Sequence, residues 1–304
     1  MMTERQRQFR ENYKSNINPT YNGLLHVCLL YGVGIAAIYY CAQHLIGAGW
    51  EWLLVIPVFL AGNFVEWGMH RFVMHRRVNV WGLRLIYERH TREHHQYFTD
   101  LEPEFDTTRE FRIVFFPLRV LVTLGIGGTT LGFIAAWLID ANAGYIVFMT
   151  MVGQYLCYET FHYCCHCHEN WFVRNMPFIN TIRRHHRAHH NPGIMMKYNM
   201  NLTFPIADWF LGSSDLRRGL IGTLFNGYNE KYVKEELRPI IAKFRTDHSR
   251  VTLDGPQLTE EERRVMLGQH LFNGYSTKYV KRDLSKARAS ADRLSSHAVS
   301  ASGE

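Results

Sequence analysis

The chain has 304 residues, and its hydrophobic residues, 47% of the total, are concentrated in a few long runs separated by polar stretches. A formal net charge of +7 would suit nucleic acid, but the basic residues flank apolar runs as in membrane proteins, so we expect no nucleic-acid partner. Residues 1–22 contain no apolar run of a secretory signal peptide and the six cysteines have no regular spacing, which predicts reduced thiols rather than a disulfide framework.

Four segments are apolar and long enough to cross a bilayer as helices, since a crossing needs about 20 residues. They lie at about 23–46, 50–69, 113–139 and 143–162. The third segment contains Pro117 and several glycines, so we expect its helix to start late or to bend. The segments predict an all-α fold, an integral-membrane bundle of four transmembrane helices with a cytosolic helical cap.

Positive charge is distributed very unevenly among the connections between these segments. The tight connections at 47–49 and 140–142 contain no Lys or Arg. Basic residues cluster at the opposite ends of the segments, at Arg5, Arg7, Arg10, Lys14, Arg71, Arg76, Arg77, Arg84, Arg89, Arg92, Arg109, Arg112, Arg174, Arg183, Arg184 and Arg187. Because cytoplasmic loops of membrane proteins are enriched in Lys and Arg, we predict that both termini and the long middle loop are cytoplasmic. A soluble helical bundle fits this bias less well.

The rest of the chain is predicted to be soluble. We divide the sequence into a cytosolic N-terminal segment, a membrane-embedded domain, a cytosolic C-terminal region and a disordered tail, at 1–22, 23–215, 216–284 and 285–304. The C-terminal region repeats a short motif, LFNGYNEKYV from Leu224 and LFNGYSTKYV from Leu271. Two copies are too few for a solenoid, and we interpret them as a duplicated turn-helix element. A capping box at Thr259 predicts a helix that runs to Leu271.

Histidine carries the strongest functional signal. Twelve of the 17 histidines fall between residues 70 and 190, in four clusters. The clusters are His70 with His75; His90 with His94 and His95; His162 with His166 and the nearby His168; and His185 with His186, His189 and His190. Each cluster lies at a predicted cytoplasmic span end or in a cytoplasmic segment, so all four can converge just beneath the membrane.

Helical spacing indicates which of these rings can meet. Residues three or four positions apart share a face of an α-helix. On that basis we expect common faces for His90 with His94, for His162 with His166, and for His186 with His189 and His190. His70 and His75 are about 140° apart on an ideal helix, so they can share a site only if the helix frays or bends after Met74.

Imidazole suits iron, zinc and copper, and ten histidines exceed what one tetrahedral or octahedral ion can use. The sequence therefore predicts two metal ions. His168 and His185 fit the spacing less well, and we expect them to orient a ligand ring through a hydrogen bond. Glu66 and Glu159 share helix faces with ligand candidates and are assigned the same role, because a carboxylate at membrane depth is costly without a purpose.

Three cysteines, Cys164, Cys165 and Cys167, lie among the histidines and raise the possibility of a zinc–thiolate site. No second cysteine pair occurs elsewhere to complete such a site. We therefore interpret the three cysteines as packing residues.

The four motifs resemble those of the fatty acid hydroxylase/sterol desaturase superfamily, whose members are membrane di-iron oxygenases. The matching stretches are HRFVMH at 70–75, HTREHH at 90–95, HYCCH at 162–166 and HHRAHH at 185–190, with NLTFPIADWFLGS at 201–213 similar to the segment after the last motif. The resemblance implies ten metal ligands, namely His70, His75, His90, His94, His95, His162, His166, His186, His189 and His190. It also implies two iron ions, which zinc can replace in an isolated protein, and dioxygen as co-substrate.

The resemblance further implies an activity, the hydroxylation of an unactivated C–H bond in a fatty acyl, sterol or amino-lipid substrate drawn from the bilayer. Desaturation at the same site is the nearest alternative, because both reactions begin with the same hydrogen abstraction. No haem domain is fused here, so we expect a separate electron donor, a ferredoxin or a cytochrome b5-type protein with its reductase. A membrane metal transporter or metal-binding protein is the alternative from another class. A transporter needs ionisable residues along a path, and the first and third spans offer only His26, His44 and Arg119.

Overall fold

A computed structural model describes residues 4–176, 178–225 and 230–246. Regular structure in these ranges is helical, apart from one antiparallel bridge between Leu216 and Val233. The α-helices are α1 (Glu4–Ser15), α2 (Gly23–Gln43), α3 (Val55–Met69), α4 (Trp81–Tyr87), α5 (His95–Tyr97), α6 (Phe111–Val114), α7 (Leu118–Leu138), α8 (Ala141–His166), α9 (Trp171–Asn175), α10 (Ile179–His189), α11 (Ile206–Phe210), α12 (Leu220–Phe225) and α13 (Arg238–Thr246). The 3-10 turns are Trp50–Leu54, Thr108–Glu110, Glu230–Tyr232 and Glu235–Leu237, and the π-helical turns are His70–Met74 and Glu88–His94. The predicted all-α class is confirmed for the described residues.

Three helices are long and apolar enough to cross a membrane, Gly23–Gln43, Trp50–Met74 and Leu118–Leu138. Only 17%, 6% and 17% of their most apolar stretches are buried inside the protein. Apolar surface exposed on this scale suits lipid better than water, which suggests a membrane protein. The third helix begins at Leu118 rather than at 113, because Pro117 has an extended backbone (ψ 147°) and no N–H to donate.

The fourth predicted span, 143–162, lies in α8, which is not among these three apolar helices. α8 packs against all three of them and against α10, and 13 of its 26 residues are buried. A helix surrounded by protein can carry polar residues that find partners, as Gln154 does when its Nε2 donates to Phe59 O at 3.2 Å. Three exposed apolar helices therefore share a half-buried neighbour, and the membrane crossing of the fourth predicted span stays a prediction.

Small residues bring α8 close to its neighbours. A Cβ added at Gly144 would lie 2.7 Å from Gly132 O of α7, and one added at Gly34 of α2 would lie 2.9 Å from the Leu156 side chain. Such contacts are too short for any larger residue without a shift. Close backbone approach through small residues is how membrane helices associate.

The two tight connections lie side by side at one end of the helices. Asn142 Nδ2 donates to Ile46 O at 2.9 Å, and Ile46 N donates to Asn142 Oδ1 at 3.0 Å. Since α2 and α7 run toward these connections and α3 and α8 run away from them, the C-terminal ends of α3 and α8 lie together at the opposite end. Those ends carry His70, His162 and His166.

The capping-box helix from Thr259, the second LFNGY copy and the predicted disordered tail lie outside the described residues. The first LFNGY copy is described only at its two ends, in α12 and in the Glu230–Tyr232 turn.

Glu110 is a buried carboxylate that ties α1 to the segment before the third span. It accepts hydrogen bonds from Thr107 N at 2.7 Å, Asp106 N at 3.0 Å and the Tyr97 hydroxyl, and it pairs with Lys14 of α1 at 3.2 Å. Burial raises the pKa of Glu110, but the hydrogen bonds and the Lys14 charge outweigh burial and hold this pKa below its ordinary value of 4.5. The charged form of Glu110 therefore stabilises the folded protein.

We predict that Glu110→Gln lowers the free energy of unfolding by about 1.5–3 kcal/mol at pH 7, the usual effect of hydrogen bonds to a charged group. Because the folded-state pKa is depressed, this contribution is present above the unfolded pKa and is lost as the pH falls through the folded pKa. The difference from wild type should therefore narrow below about pH 4. Thermal unfolding of both proteins in detergent at several pH values measures this difference in stability.

Glu88→Gln is the matched control, since Glu88 is partly exposed and pairs with Arg92 one helical turn away. We expect a change of about 0.5 kcal/mol or less there. Equal losses in the two variants would show that the Glu110 network does not contribute as described.

Candidate metal centre

Two π-helical turns place histidines that an α-helix would keep apart. In the turn His70–Met74, His75 N donates to His70 O at 3.1 Å, so residues five apart lie one above the other. Their rings are nearly parallel, with centroids 5.0 Å apart. The predicted helix distortion at Met74 is thus a widening of the helix rather than fraying.

The second π-helical turn, Glu88–His94, changes the expected pairing in the next motif. His95 N donates to His90 O, and the Nε2 atoms of His90 and His95 are 3.1 Å apart. His94 turns away toward His190, with 3.2 Å between their Nε2 atoms. His90 and His94 share a face as predicted, with ring centroids 5.3 Å apart, but their Nε2 atoms lie next to different histidines, because α-helical spacing does not apply within this turn.

The remaining ligand candidates come from α8, α10 and the residue that follows α10. His166 and His186 bring their Nε2 atoms to 3.0 Å, and His186 and His190 do the same. His189 points the other way, toward His75, with Nε2 atoms 2.9 Å apart. Of the α10 histidines expected on one face, His186 and His190 stay together, whereas His189 is separated from them.

The rings form two adjoining groups that could each hold a metal ion, and within each group the ligand atoms all lie within 4.8 Å of one another. The first group is His70, His75, His90, His95 and His189, and the second is His94, His166, His186 and His190. His162 lies at the edge of the second group, with its Nε2 3.3 Å from His94 Nε2. All ten ligand candidates are buried at this one location.

The protonation pattern of His94 and His190 shows why a cation fits. His94 Nδ1 donates to Ile113 O at 3.2 Å, and His190 Nδ1 donates to Phe98 O at 3.0 Å. A neutral imidazole has one N–H, so both rings present an unprotonated Nε2. These two atoms face each other at 3.2 Å and cannot hydrogen-bond. Two nitrogens bound at right angles to one ion, with bonds of about 2.1 Å, would be about 3.0 Å apart.

Other rings are fixed in the same way. Backbone carbonyls accept hydrogen bonds from His166 Nδ1 (Pro103 O, 2.7 Å), from His189 Nδ1 (Tyr198 O, 2.9 Å) and from His70 Nδ1 (Met200 O). A hydrogen bond at one ring nitrogen sets the tautomer and aims the other nitrogen at the metal. Together with Ile113 O and Phe98 O, these carbonyls lie in three separate stretches of chain, 98–103, 113 and 198–200, so distant segments orient the rings.

Burial keeps these imidazoles neutral. It lowers the pKa values of the rings outside the spans far below 6.5, and neighbouring rings lower them further, at His90, His94, His95, His186, His189 and His190. Metal binding requires the unprotonated ring. The site is thus ready for a cation at neutral pH without first losing protons.

The two predicted supporting carboxylates bind backbone rather than imidazole. Glu66 accepts hydrogen bonds from Leu202 N at 2.5 Å and from Thr203 N at 2.9 Å. Glu159 accepts one from Phe116 N at 3.2 Å. Within the described residues no hydrogen bond joins either carboxylate to a ligand ring. The two carboxylates instead fix backbone segments near the ligand candidates.

The two doubtful histidines differ from each other. His168 is exposed and lies 3.0 Å from Asp106 Oδ1, so it does not support a ligand ring. His185 is buried, and its Nε2 lies 2.9 Å from Asp208 Oδ2. Both contacts involve a carboxylate rather than one of the ten ligand rings.

Asp208 is the supporting residue that spacing rules did not single out. It accepts hydrogen bonds from Met200 N at 2.9 Å, Asn201 N at 2.6 Å and Ser213 Oγ at 2.6 Å, besides its contact with His185. Met200 O in turn accepts the hydrogen bond from His70 Nδ1. Asp208 therefore fixes the backbone that orients a ligand ring. Its only sequence signal was its place in the motif at 201–213.

The cysteines take no part in the site. All six are free, and Cys164, Cys165 and Cys167 are buried in the protein. The expectation of reduced thiols is consistent with this arrangement, and neither histidine group includes a cysteine.

The chain matches no family model, no curated protein sequence and no solved structure. Its class is therefore defined by the fold and the site alone. It is a helical protein with buried histidine groups that could bind metal and with three helices long and apolar enough to cross a membrane. These features are compatible with a histidine-box membrane protein. The four histidine motifs and the segment at 201–213 carry the resemblance to the hydroxylase/desaturase superfamily.

We predict that His94→Ala and His189→Ala each lower bound metal to about half, because each removes a ligand from a different group. Elemental analysis of protein purified with iron measures this content. His168→Ala is the control and should keep the wild-type content, since His168 is exposed. Equal metal content in all three variants would refute the assignment.

We also predict that Asp208→Asn weakens metal binding about 10–100-fold, the usual effect of losing a supporting hydrogen bond. An amide oxygen can replace only one of the two carboxylate oxygens, so either Met200 N or Asn201 N loses its acceptor. Metal release to a chelator measures the affinity. Asp106→Asn, on the surface, is the control. Release of metal from both variants at the same chelator concentration would contradict the supporting role of Asp208.

Proposed function

We propose that the chain is a membrane-bound di-iron oxygenase that hydroxylates an unactivated C–H bond of a lipid. One observation carries the proposal: nine buried imidazoles form two adjoining groups with His162 at the edge of one, and their Nε2 atoms, both unprotonated at His94 and His190, face each other at about the separation expected for ligands of shared metal ions. Such an arrangement has no use in packing, because opposed lone pairs repel.

Two ions are favoured over one by the division of the rings. The groups adjoin where His95 and His190 stack with centroids 4.3 Å apart. The first group alone offers five nitrogens, more than the four ligands of a structural zinc site. Imidazole also suits iron, so we assign iron to both positions, with zinc as a substitute in isolated protein.

The bound ions would supply the activation of dioxygen by two electrons, which is the chemistry that oxidises an unreactive C–H bond. The residues of the chain supply binding, orientation and the exclusion of water. Backbone carbonyls hold the rings in one tautomer, and rings such as His166, His186 and His189 are fully buried. We assign the electrons to a separate ferredoxin or cytochrome b5-type donor.

The substrate class follows from the position of the histidines. They lie at the ends of α3 and α8, beside helices whose apolar surfaces are exposed. We propose that α8 crosses the membrane as a fourth, protein-covered helix, with the site and both termini on the cytoplasmic side, where the basic residues lie. A lipid can then approach the site from within the bilayer.

The test uses iron-loaded protein with a ferredoxin, its reductase, a membrane lipid extract and isotopically labelled dioxygen. We expect a lipid product that gains one oxygen atom from dioxygen, detected by mass spectrometry. The His168→Ala variant should form this product, whereas His94→Ala should not. A product that loses two hydrogens without gaining oxygen would show desaturation instead. Absence of any oxygen-dependent product from fully metal-loaded protein would contradict the proposal.

A further inference from the structure

Helix α11 ends in a tip of large apolar residues that the other described residues leave uncovered. Trp209, Phe210 and Leu211 are 48%, 69% and 45% exposed. The next residue, Gly212, has a φ of +70° and turns the chain back. We call Trp209–Leu211 the α11 tip. All three of its residues are large and apolar.

The α11 tip lies beside the body of the second span rather than beyond its end. The rings of Phe210 and Phe64 are 5.6 Å apart. Asn63 fixes the segment before the tip, since its Nδ2 donates to Phe204 O at 2.8 Å and its Oδ1 accepts from Ala207 N at 3.0 Å. α11 packs directly on α3.

The helix rise gives the depth of this contact. The candidate span begins at Trp50 with a 3-10 turn, and Phe64 lies about 23 Å further along at about 2.0 Å per residue in that turn and 1.5 Å per residue in α3. The hydrocarbon core of a bilayer is about 30 Å thick. With Trp50 at the opposite boundary, Phe64 and Phe210 beside it lie about 7 Å inside the boundary at the histidine end.

Charged groups mark the level just beyond the tip. Arg71 lies over the Trp67 ring, with its guanidinium carbon 5.3 Å from the ring centroid. Lys234 Nζ donates to Gly212 O at 2.9 Å in an exposed contact. Basic side chains at membrane headgroup level next to a Trp are typical of a bilayer interface. The order along the membrane normal is thus apolar tip, aromatic ring, then basic charge.

We propose that the α11 tip inserts into the acyl region of the leaflet at the histidine end of the spans. Its partner is the phospholipid bilayer, because the tip continues the exposed apolar surface of α3, where Val65 is 63% exposed. The inference rests on the membrane placement in the proposed function. It adds a fourth point of membrane contact, one that Asp208 connects to the ligand His70.

The test attaches a polarity-sensitive fluorophore to one introduced cysteine at a time in the full chain. The background variant carries Cys28→Ser, which removes the one exposed cysteine among the six. The labelled variants are Phe210→Cys for the tip, Val65→Cys for the lipid-facing span and Glu235→Cys for an exposed charged turn. Each is reconstituted in phosphatidylcholine vesicles whose acyl chains carry bromine near the headgroup. Iodide in the water is the second quencher, and retained metal content shows that each variant is folded.

We expect the label at 210 to be quenched by brominated lipid as strongly as the label at 65 and to be protected from iodide, with the opposite pattern at 235. Quenching at 210 by iodide alone, with 65 still quenched by lipid, would overturn the inference and leave the membrane placement standing. Loss of lipid quenching at both 65 and 210 would overturn both. Protection of 210 from both quenchers that depends on protein density would show a second copy on the tip, and would also overturn the inference.

Discussion

The structure depends on buried neutral imidazoles whose unprotonated nitrogens face one another. His94 and His190 give their protons to Ile113 O and Phe98 O, so the opposed Nε2 atoms have nothing to share unless a cation lies between them. A polar atom buried without a partner costs free energy. This free-energy cost arises at several rings in one place, and a bound metal ion would offset it.

The sequence predicted that the histidine clusters come together, but not how their rings divide into two groups. Their clusters contain all ten buried ligand candidates, and the predicted spans include the three exposed apolar helices. The predicted grouping of the rings did not hold where the helix is not α-helical. The π-helical turns bring His70 to His75 and His90 to His95, and they place His94 in the other group. The five-residue spacing of His70 and His75 predicted a distortion after Met74, but no feature of the sequence predicted the second π-helical turn.

The central helix and the supporting residues were hard to predict for a different reason. α8 has the length of a membrane span, yet its neighbours bury half of its residues, and coverage depends on which helices pack together. Glu66 and Glu159 were recognised as costly buried carboxylates, but their partners are backbone amides from distant stretches of chain. Asp208 carried no signal of its own, because its role depends on Met200 O reaching His70.

The ligand set is entirely neutral, which has an electrostatic consequence. Any cation held by these imidazoles brings its full charge into a buried region, and a buried charge is costly unless nearby groups compensate it. The carboxylates of Glu66, Glu159 and Asp208 lie behind the rings, hydrogen-bonded to backbone or to His185. Any compensating charge must therefore come from outside the ligand shell, where these three carboxyl groups lie. All coordinating positions stay with imidazole, while the same carboxylates hold in place the segments that orient the ligand rings.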